Sequence, residues 1–273
     1  MVKKILSGLS TSSGFYQVIE KSYNFMGVNR FKEVSRLRLD ALYKQICVDA
    51  NQLNFDLVRV GSAHDGGYVM MNPKSPSCNV ISLGIADNMD FELELIGKKL
   101  VSAIFCFDGS IEKLPSENDS IYFESKYIKV SKSENSLNLS QVLAKIDSDE
   151  LILKIDIEGD EWDVLGSLSE SELRRFSQII GEFHGFASNL TDEGILKMTS
   201  LLQRIRGQFH LVNSHPNNWS QYRIIQGIPI PDVIEFTFIH RSLASDNSRD
   251  EYSKDSKSQL NSPCNPDKSE YLF

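Results

Sequence analysis

The chain has 273 residues, 41% of them hydrophobic and 24% charged, which is ordinary for a globular protein and long enough to bury one full core. Its 37 acidic and 29 basic side chains leave a net charge of −8, which argues against a general nucleic-acid or anionic-membrane binder. Cys47, Cys78, Cys106 and Cys264 lie far apart with no CxxC pair, so spacing supports neither a zinc motif nor a disulfide framework.

The first fifteen residues, MVKKILSGLSTSSGF, hold too short an apolar stretch for a signal peptide. No segment approaches the ~20 apolar residues of a membrane span. The expectation is a cytoplasmic, reducing compartment. Residues 1–56 read as a helical N-terminal extension, with Phe31–Cys47 carrying apolar positions at helical spacing. Those helices either cover an acceptor or mediate a homo-oligomer, and the sequence does not choose. Residues 57–241 alternate strand and helix patterns. Residues 242–273 are rich in Ser, Asp, Lys and Asn and read as a disordered tail.

Within the central region, strands are predicted at 79–85, 101–108, 121–130, 151–157, 178–184, 208–213 and 233–241. Helices fit between most of them, at 90–99, 137–146 and 192–206, and Ser169 with Glu172 makes a capping box. Alternation of this kind implies an α/β fold with a mostly parallel, doubly wound sheet of seven strands. The last two strands are joined by a loop and not a long helix, so an antiparallel hairpin is expected at one edge, with the last strand antiparallel. Asp65-Gly66-Gly67 reads as a tight turn before a strand.

The most informative stretch is Leu151 to Leu165, LILKIDIEGDEWDVL. Its apolar run reads as a buried parallel strand, and acids at such a strand's C-terminal tip are costly unless they meet solvent, a ligand or a metal. Ligands bind at that end of open α/β sheets. Upstream, Val80 to Asp87 is a strand, then Gly84, then an acid and a helix. The next strand ends in Asp108, where an acid commonly accepts ribose hydroxyls. Taken alone, Gly84 and Asp108 read equally well as residues that shape turns.

Lys154-Ile-Asp-Ile-Glu-Gly-Asp-Glu-Trp-Asp-Val-Leu165 resembles the K-I-D-[IV]-E-G-x-E-x-x-[VA]-L signature of FkbM-type S-adenosylmethionine-dependent methyltransferases. Arg59 to Val69 is similar to that family's R-x-G-x-x-x-D-G-G-Y-V segment, and Ser82-Leu-Gly and Phe105-Cys-Phe-Asp follow in order. The likeness runs from about Arg59 to Arg241. The chain departs from it in lacking the usual [DE]-x-G-x-x-x-G glycine pair. The resemblance implies a Rossmann-like methyltransferase sheet, S-adenosylmethionine as cofactor and a sugar or glycan hydroxyl as acceptor. Surface polysaccharide or glycan biosynthesis is the implied setting. It also implies that Gly84 sits under the methionine part, that Asp87 binds the cofactor, that Asp108 holds the ribose, and that Asp65, Gly66 and Gly67 lie beside or close over the cofactor.

With that sheet, the tips of adjacent strands bring Asp156, Glu158, Glu182 and His184 within a few ångströms. A loop after the sixth strand is expected to hold His215 with Asn217, Asn218 and Trp219 as substrate contacts. Two chemistries suit the cluster. In one, His184 or His215 takes a proton from the acceptor hydroxyl, oriented by a carboxylate. In the other, Asp156, Glu182 and His184 hold Mg or Mn, which lowers the hydroxyl pKa. Glu161 and Asp163 read as charges favoured at a helix N-terminus, and Trp162 reads as core. The alternatives are a metal-dependent hydrolase on an α/β scaffold and a non-catalytic methyltransferase-fold binding protein.

Overall fold

The computed structural model describes residues 34–48, 55–131, 133–148, 150–244 and 260–271. In chain order the elements are α1 (Arg36–Ile46), β1 (Leu57–Gly61), β2 (Gly67–Met71), β3 (Asn79–Leu83), α2 (Asp90–Gly97), β4 (Ala103–Phe107), β5 (Ile121–Glu124), β6 (Tyr127–Ile128), β7 (Ser136–Leu137), α3 (Leu139–Lys145) and β8 (Leu151–Ile155). They continue with α4 (Glu161–Ser167), α5 (Glu170–Leu173), β9 (Phe176–His184), α6 (Asp192–Gln208), β10 (Phe209–Pro216), β11 (Tyr222–Ile225), β12 (Ile228–Pro231) and β13 (Val233–His240).

The central sheet has seven strands in the order β10-β13-β9-β8-β3-β4-β5. Only β13 runs against its neighbours, pairing antiparallel with both β9 and β10. The expected antiparallel pair thus lies at one edge, with β10 outermost and the last strand, β13, one place in. β8 and β9 are buried along nearly their whole length, which is why they read as apolar runs without alternation.

Helices and a hairpin cover the two faces and, among the described residues, enclose two large cores beside a small cluster of Phe55, Met71, Val212 and Ile239. One core gathers α1, α3, α4 and α6, for example Leu39, Val142, Leu165 and Ile205, against the sheet. The other gathers β1, β2 and α2, for example Tyr68, Phe91 and Leu95. Leu39, Leu42 and Ile46 form the buried stripe of α1, and Arg206 of α6 donates to the carbonyls of Gln45 and Cys47 at that helix's C-terminal end. Most of the expected N-terminal extension, residues 1–33 and 49–54, lies outside the described residues.

The hairpin β1–β2 lies across β9 and β13. The buried Gln178 side chain satisfies both the N–H and the carbonyl of Met71, and the Thr237 hydroxyl donates to Val69. These bonds set Tyr68 and the Asp65-Gly66 turn over the C-terminal end of the sheet.

Three expectations need correction. The single strand expected at 121–130 is two, β5 and β6, because the chain turns at Ser125 and Lys126 to pair with β7. The sixth strand runs on to Pro216, so His215 sits in β10 and not in a loop. Its pairing with β13 continues through His215↔Glu235 and Pro216↔Ile234. The connection that follows holds a further hairpin, β11–β12, that periodicity did not signal.

Part of the expected disordered tail, residues 260–271, is packed. Asn218 exchanges hydrogen bonds with the backbone of Asn265, Asn213 and Asn261 pair through their amides, and Cys264 is buried. These contacts are polar and long-range, so they leave no apolar periodicity to read. Residues 245–259 and 272–273 lie outside the described residues.

Candidate functional site

A cavity of about 560 Å³ opens at the C-terminal tips of β3, β4 and β8. Its lining includes Asp65, Gly66, Gly84, Asp87, Asp108, Asp156 and Glu158 among the residues singled out from sequence. Gly67, Glu182, His184, His215, Asn217, Asn218 and Trp219 do not line it.

The loop after β3 is shaped by Gly84, whose φ of +78° suits a residue without Cβ. Asp108 sits under this loop. One of its oxygens accepts the N–H groups of Ile85 and Ala86, each at 2.8 Å, and the other accepts the N–H and hydroxyl of Ser110. Burial alone raises its pKa, but these donors outweigh burial and hold the carboxyl below its ordinary value.

Ser82 and Asn88 stand where the resembling pattern places an acid and a second glycine. A carboxylate reaches this spot from another element: Glu92 of α2, buried on the cavity wall, accepts the Ser82 hydroxyl. Asn88 donates to the Ser62 hydroxyl, and its side-chain oxygen accepts the N–H of Asp90, fixing the entry to α2. Sequence reasoning missed Glu92. The only signal was an acid in the first turns of the helix after Gly84.

Lys154, buried below the loop, donates to the carbonyl of Gly84 and lies 4.0 Å from Asp156. Tyr68 donates its hydroxyl to Asp156 at 3.1 Å.

His184 gathers the carboxylates, as the strand-tip argument expects. Its Nε2 faces Glu158 at 3.6 Å and both Asp156 and Glu182 at 3.9 Å. Its Nδ1 lies 3.1 Å from Glu161, whose side chain is 0% exposed and also accepts the N–H groups of Ile157 and Gly159. Glu161 therefore orients the imidazole from the first turn of α4, which corrects the reading of it as a helix-end charge. Burial lowers the His184 pKa, but the hydrogen bond and charge of Glu161, then Asp156 and Glu158, outweigh it, and the net shift is upward.

Glu182 is held far above the usual carboxylate range, first by burial and then by the charges of Asp156, Glu235 and Asp65. Asn217 donates to both its oxygens at 3.1 Å. Trp162 is core, edge-on to Phe183 and Phe186.

The second candidate base is placed elsewhere. His215 is two strands from β9, buried between Glu235 and Glu270. Asn218 is spent on residues 265–269, so it holds the C-terminal segment and has no amide hydrogen bond directed at the cavity. Trp219 is half exposed beneath Lys268. The structure thus separates the expected site into a cavity with its His184 cluster and a distinct group around His215.

A sequence-family profile described as the methyltransferase FkbM domain matches residues 62–208. No curated protein matches the chain. Among solved structures, a chain of a fibrillarin/Nop5p complex is similar at 15% identity and a TM-score of 0.39, covering 61% of this chain and 74% of that one. The N-methyltransferase NodS from Bradyrhizobium japonicum WM9 is similar at 9% identity and a TM-score of 0.33, covering 60% and 85%. No helix among the described residues is long and apolar enough to cross a membrane.

Proposed function

The chain belongs to the FkbM methyltransferase family and is an S-adenosylmethionine-dependent methyltransferase, and from that premise we propose that it methylates a hydroxyl of a sugar, in a surface polysaccharide or its glycan precursor. The observation that carries this reading is the His184–Glu161 pair, whose Nε2 stands beside Asp156 and Glu158 of the cavity lining. A sugar hydroxyl is a very weak acid, and an oriented imidazole is the group suited to remove its proton as the new bond forms.

The residues of the cavity fit the cofactor. Its volume lies within the range of small-molecule sites, and carboxylates alternate on its wall with Phe91, Phe107, Tyr127 and Ile128. When bound, S-adenosylmethionine supplies a methyl group on a cationic sulfur. Glu92, Asp87 and Asp65 suit its ammonium, and the N-terminus of α2 suits its carboxylate. Asp108 orders the loop, and its carboxylate would accept a ribose hydroxyl when the cofactor is bound.

On the acceptor side, His184 takes the proton at Nε2, while Glu161 keeps Nδ1 protonated and stabilises the imidazolium. Asp156, held by Tyr68, places negative charge between His184 and the cavity, where it favours a cationic sulfur. Asp156 and His184 offer ligand atoms close enough for one divalent ion together with Glu158, not with the expected Glu182, so Mg or Mn at this point is the second reading.

Incubation with methyl-labelled S-adenosylmethionine and glycan acceptors tests the proposal. Label is expected in carbohydrate, stable to mild base and recovered in a methylated monosaccharide after acid hydrolysis. Label found only in protein or nucleic acid, or released by mild base as an ester is, would sink it. Repeating the assay with EDTA and then adding back Mg, Mn or zinc one at a time separates the imidazole mechanism, which needs neither Mg nor Mn, from the metal mechanism.

Glu92→Gln tests the helix-borne carboxylate. The amide keeps a hydrogen bond to Ser82 but loses the charge. The dissociation constant for S-adenosylhomocysteine is expected to rise by about tenfold or more, the scale of a lost charge-assisted hydrogen bond. Unchanged affinity by calorimetry would remove Glu92 from the cofactor site.

A further inference from the structure

Away from the cavity, three metal-ligating side chains of different kinds meet. His215 near the end of β10, Glu235 near the start of β13 and Cys264 of the C-terminal segment each offer a ligand atom, all within 4.8 Å of one another. Each residue is buried, Cys264 to 1% exposure. His215 Nδ1 lies 3.1 Å from one oxygen of Glu235, and the Cys264 thiol donates to the other at 3.0 Å. On the far side of the ring, His215 Nε2 faces Glu270 at 3.4 Å.

We propose that His215 Nδ1, the Glu235 carboxylate and the Cys264 sulfur bind one zinc ion that fastens residues 260–271 to the end of the sheet.

The donor set argues for zinc. One imidazole nitrogen, one thiolate and one carboxylate are zinc ligands, whereas Mg and Ca take oxygen almost alone. The charges also close: a divalent ion with one thiolate and one carboxylate is neutral, as a site this dry requires. Glu270 fits the same assignment. A carboxylate on Nε2 keeps the proton there and leaves Nδ1 bare for the metal, the usual outer partner of a ligating histidine.

The neighbourhood supplies a reason for the ion. Glu182 and Glu235 are paired in register on adjacent strands, and both are buried. Burial and the charges of Glu235, Glu182 and Asp65 push the Cys264 thiol far up, so without a cation it stays a neutral, unreactive thiol. Metal binding displaces that proton.

Only the third ligand comes from the C-terminal segment; the other two are on the sheet. Segment 260–271 is also held by side-chain amides, by Tyr271, whose hydroxyl donates to the Ser220 carbonyl at 3.0 Å, by Lys268, which donates to the Trp219 carbonyl, and by His64 against the Pro263 carbonyl. The ion's role in this arrangement is to lock that segment beside Glu182 and Asn217.

The full chain, stripped with a chelator and then titrated with zinc or cobalt, gives the test. One zinc per chain is expected after dialysis, and cobalt should give the near-ultraviolet absorption of a thiolate bound to the metal. Cys264→Ser should abolish that band and weaken zinc binding. Glu270→Gln should weaken it by about 10–100-fold. Chelation should lower the melting temperature of the parent protein but not of Cys264→Ser. His184→Gln should leave the zinc content unchanged. The proposal is overturned by a parent chain that takes up no zinc, by cobalt bound without the thiolate band, or by a band that survives Cys264→Ser. It is equally overturned by metal lost in His184→Gln yet kept in Cys264→Ser, which would place the ion at the His184 cluster. The cobalt band of the parent chain decides the thiolate ligand even if a variant folds poorly.

Discussion

His184→Gln is expected to cut methyl transfer by about 10²–10⁴-fold, the usual contribution of a positioned general base, while affinity for S-adenosylhomocysteine stays near that of the parent chain. The split follows from the geometry. His184 does not line the cavity, so it makes no cofactor contact to lose, but its Nε2 stands beside Asp156, which does line it. A loss of affinity as large as the loss of rate would show that the imidazole holds the loops and is not the base.

The same assignment sets a pH dependence. Glu161, Asp156 and Glu158 raise the His184 pKa against the lowering effect of burial, so the basic form appears only above the ordinary imidazole value of about 6.5. The rate should therefore climb with pH through a limb lying above that value. Glu161→Gln removes the largest contributions that favour the imidazolium, so the limb should move to lower pH while its shape persists. The stability linkage has a definite sign. A raised folded-state pKa stabilises the fold below the unfolded imidazole pKa, and that stabilisation is lost as pH rises through the folded value. A limb that stays in place in Glu161→Gln would sever the proposed link between these two residues.

Gly84→Ala is expected to abolish cofactor binding and to destabilise the fold. A Cβ there would stand 1.7 Å from the carbonyl oxygen of Asp156 and 2.8 Å from its carbon, and that backbone is held just past the end of β8 by the Asp156 N–H donating to the Leu83 carbonyl. The φ of +78° adds a conformational penalty. Overpacking of this kind costs about 1–3 kcal/mol or more, and the relief available is to push the loop off Asp108 into the cavity. Gly159→Ala is the control. Its φ is +109°, but nothing lies within 4 Å of the added methyl, so only the conformational cost applies, about 1–2 kcal/mol. Thermal melts of both variants with and without S-adenosylhomocysteine read the two effects apart. Gly84→Ala melting and binding as the parent does would remove the close approach of β3 and β8 as the support of the loop.

How far the site was legible depends on the range of the contacts that make it. Asp156, Glu182 and His184 come together because parallel neighbours stand about 4.8 Å apart and each residue is at its strand's tip, which apolar runs reveal. Glu161 looked like one more acid in the first turn of a helix. Its role exists only because β9 lays His184 against that turn, 23 residues on. Glu92 was hidden in the same way, since nothing local says that a helix will supply the acid that β3 lacks.

Periodicity and strand-tip chemistry in the sequence alone determined the doubly wound sheet, its antiparallel strand and the cavity's end of that sheet, while the family was legible only as the resemblance of Lys154–Leu165 and Arg59–Val69 to its segments. These follow from local patterns, because a strand covered on both faces must be apolar throughout and its first polar residues must fall at its end. Only the tertiary structure decided that His215 belongs to a second group with Glu235, Cys264 and Glu270, and that residues 260–271 pack on the sheet. Those contacts join polar residues 20 to 55 positions apart, and their free energy comes from burial and pairing that no local pattern of hydrophobicity records.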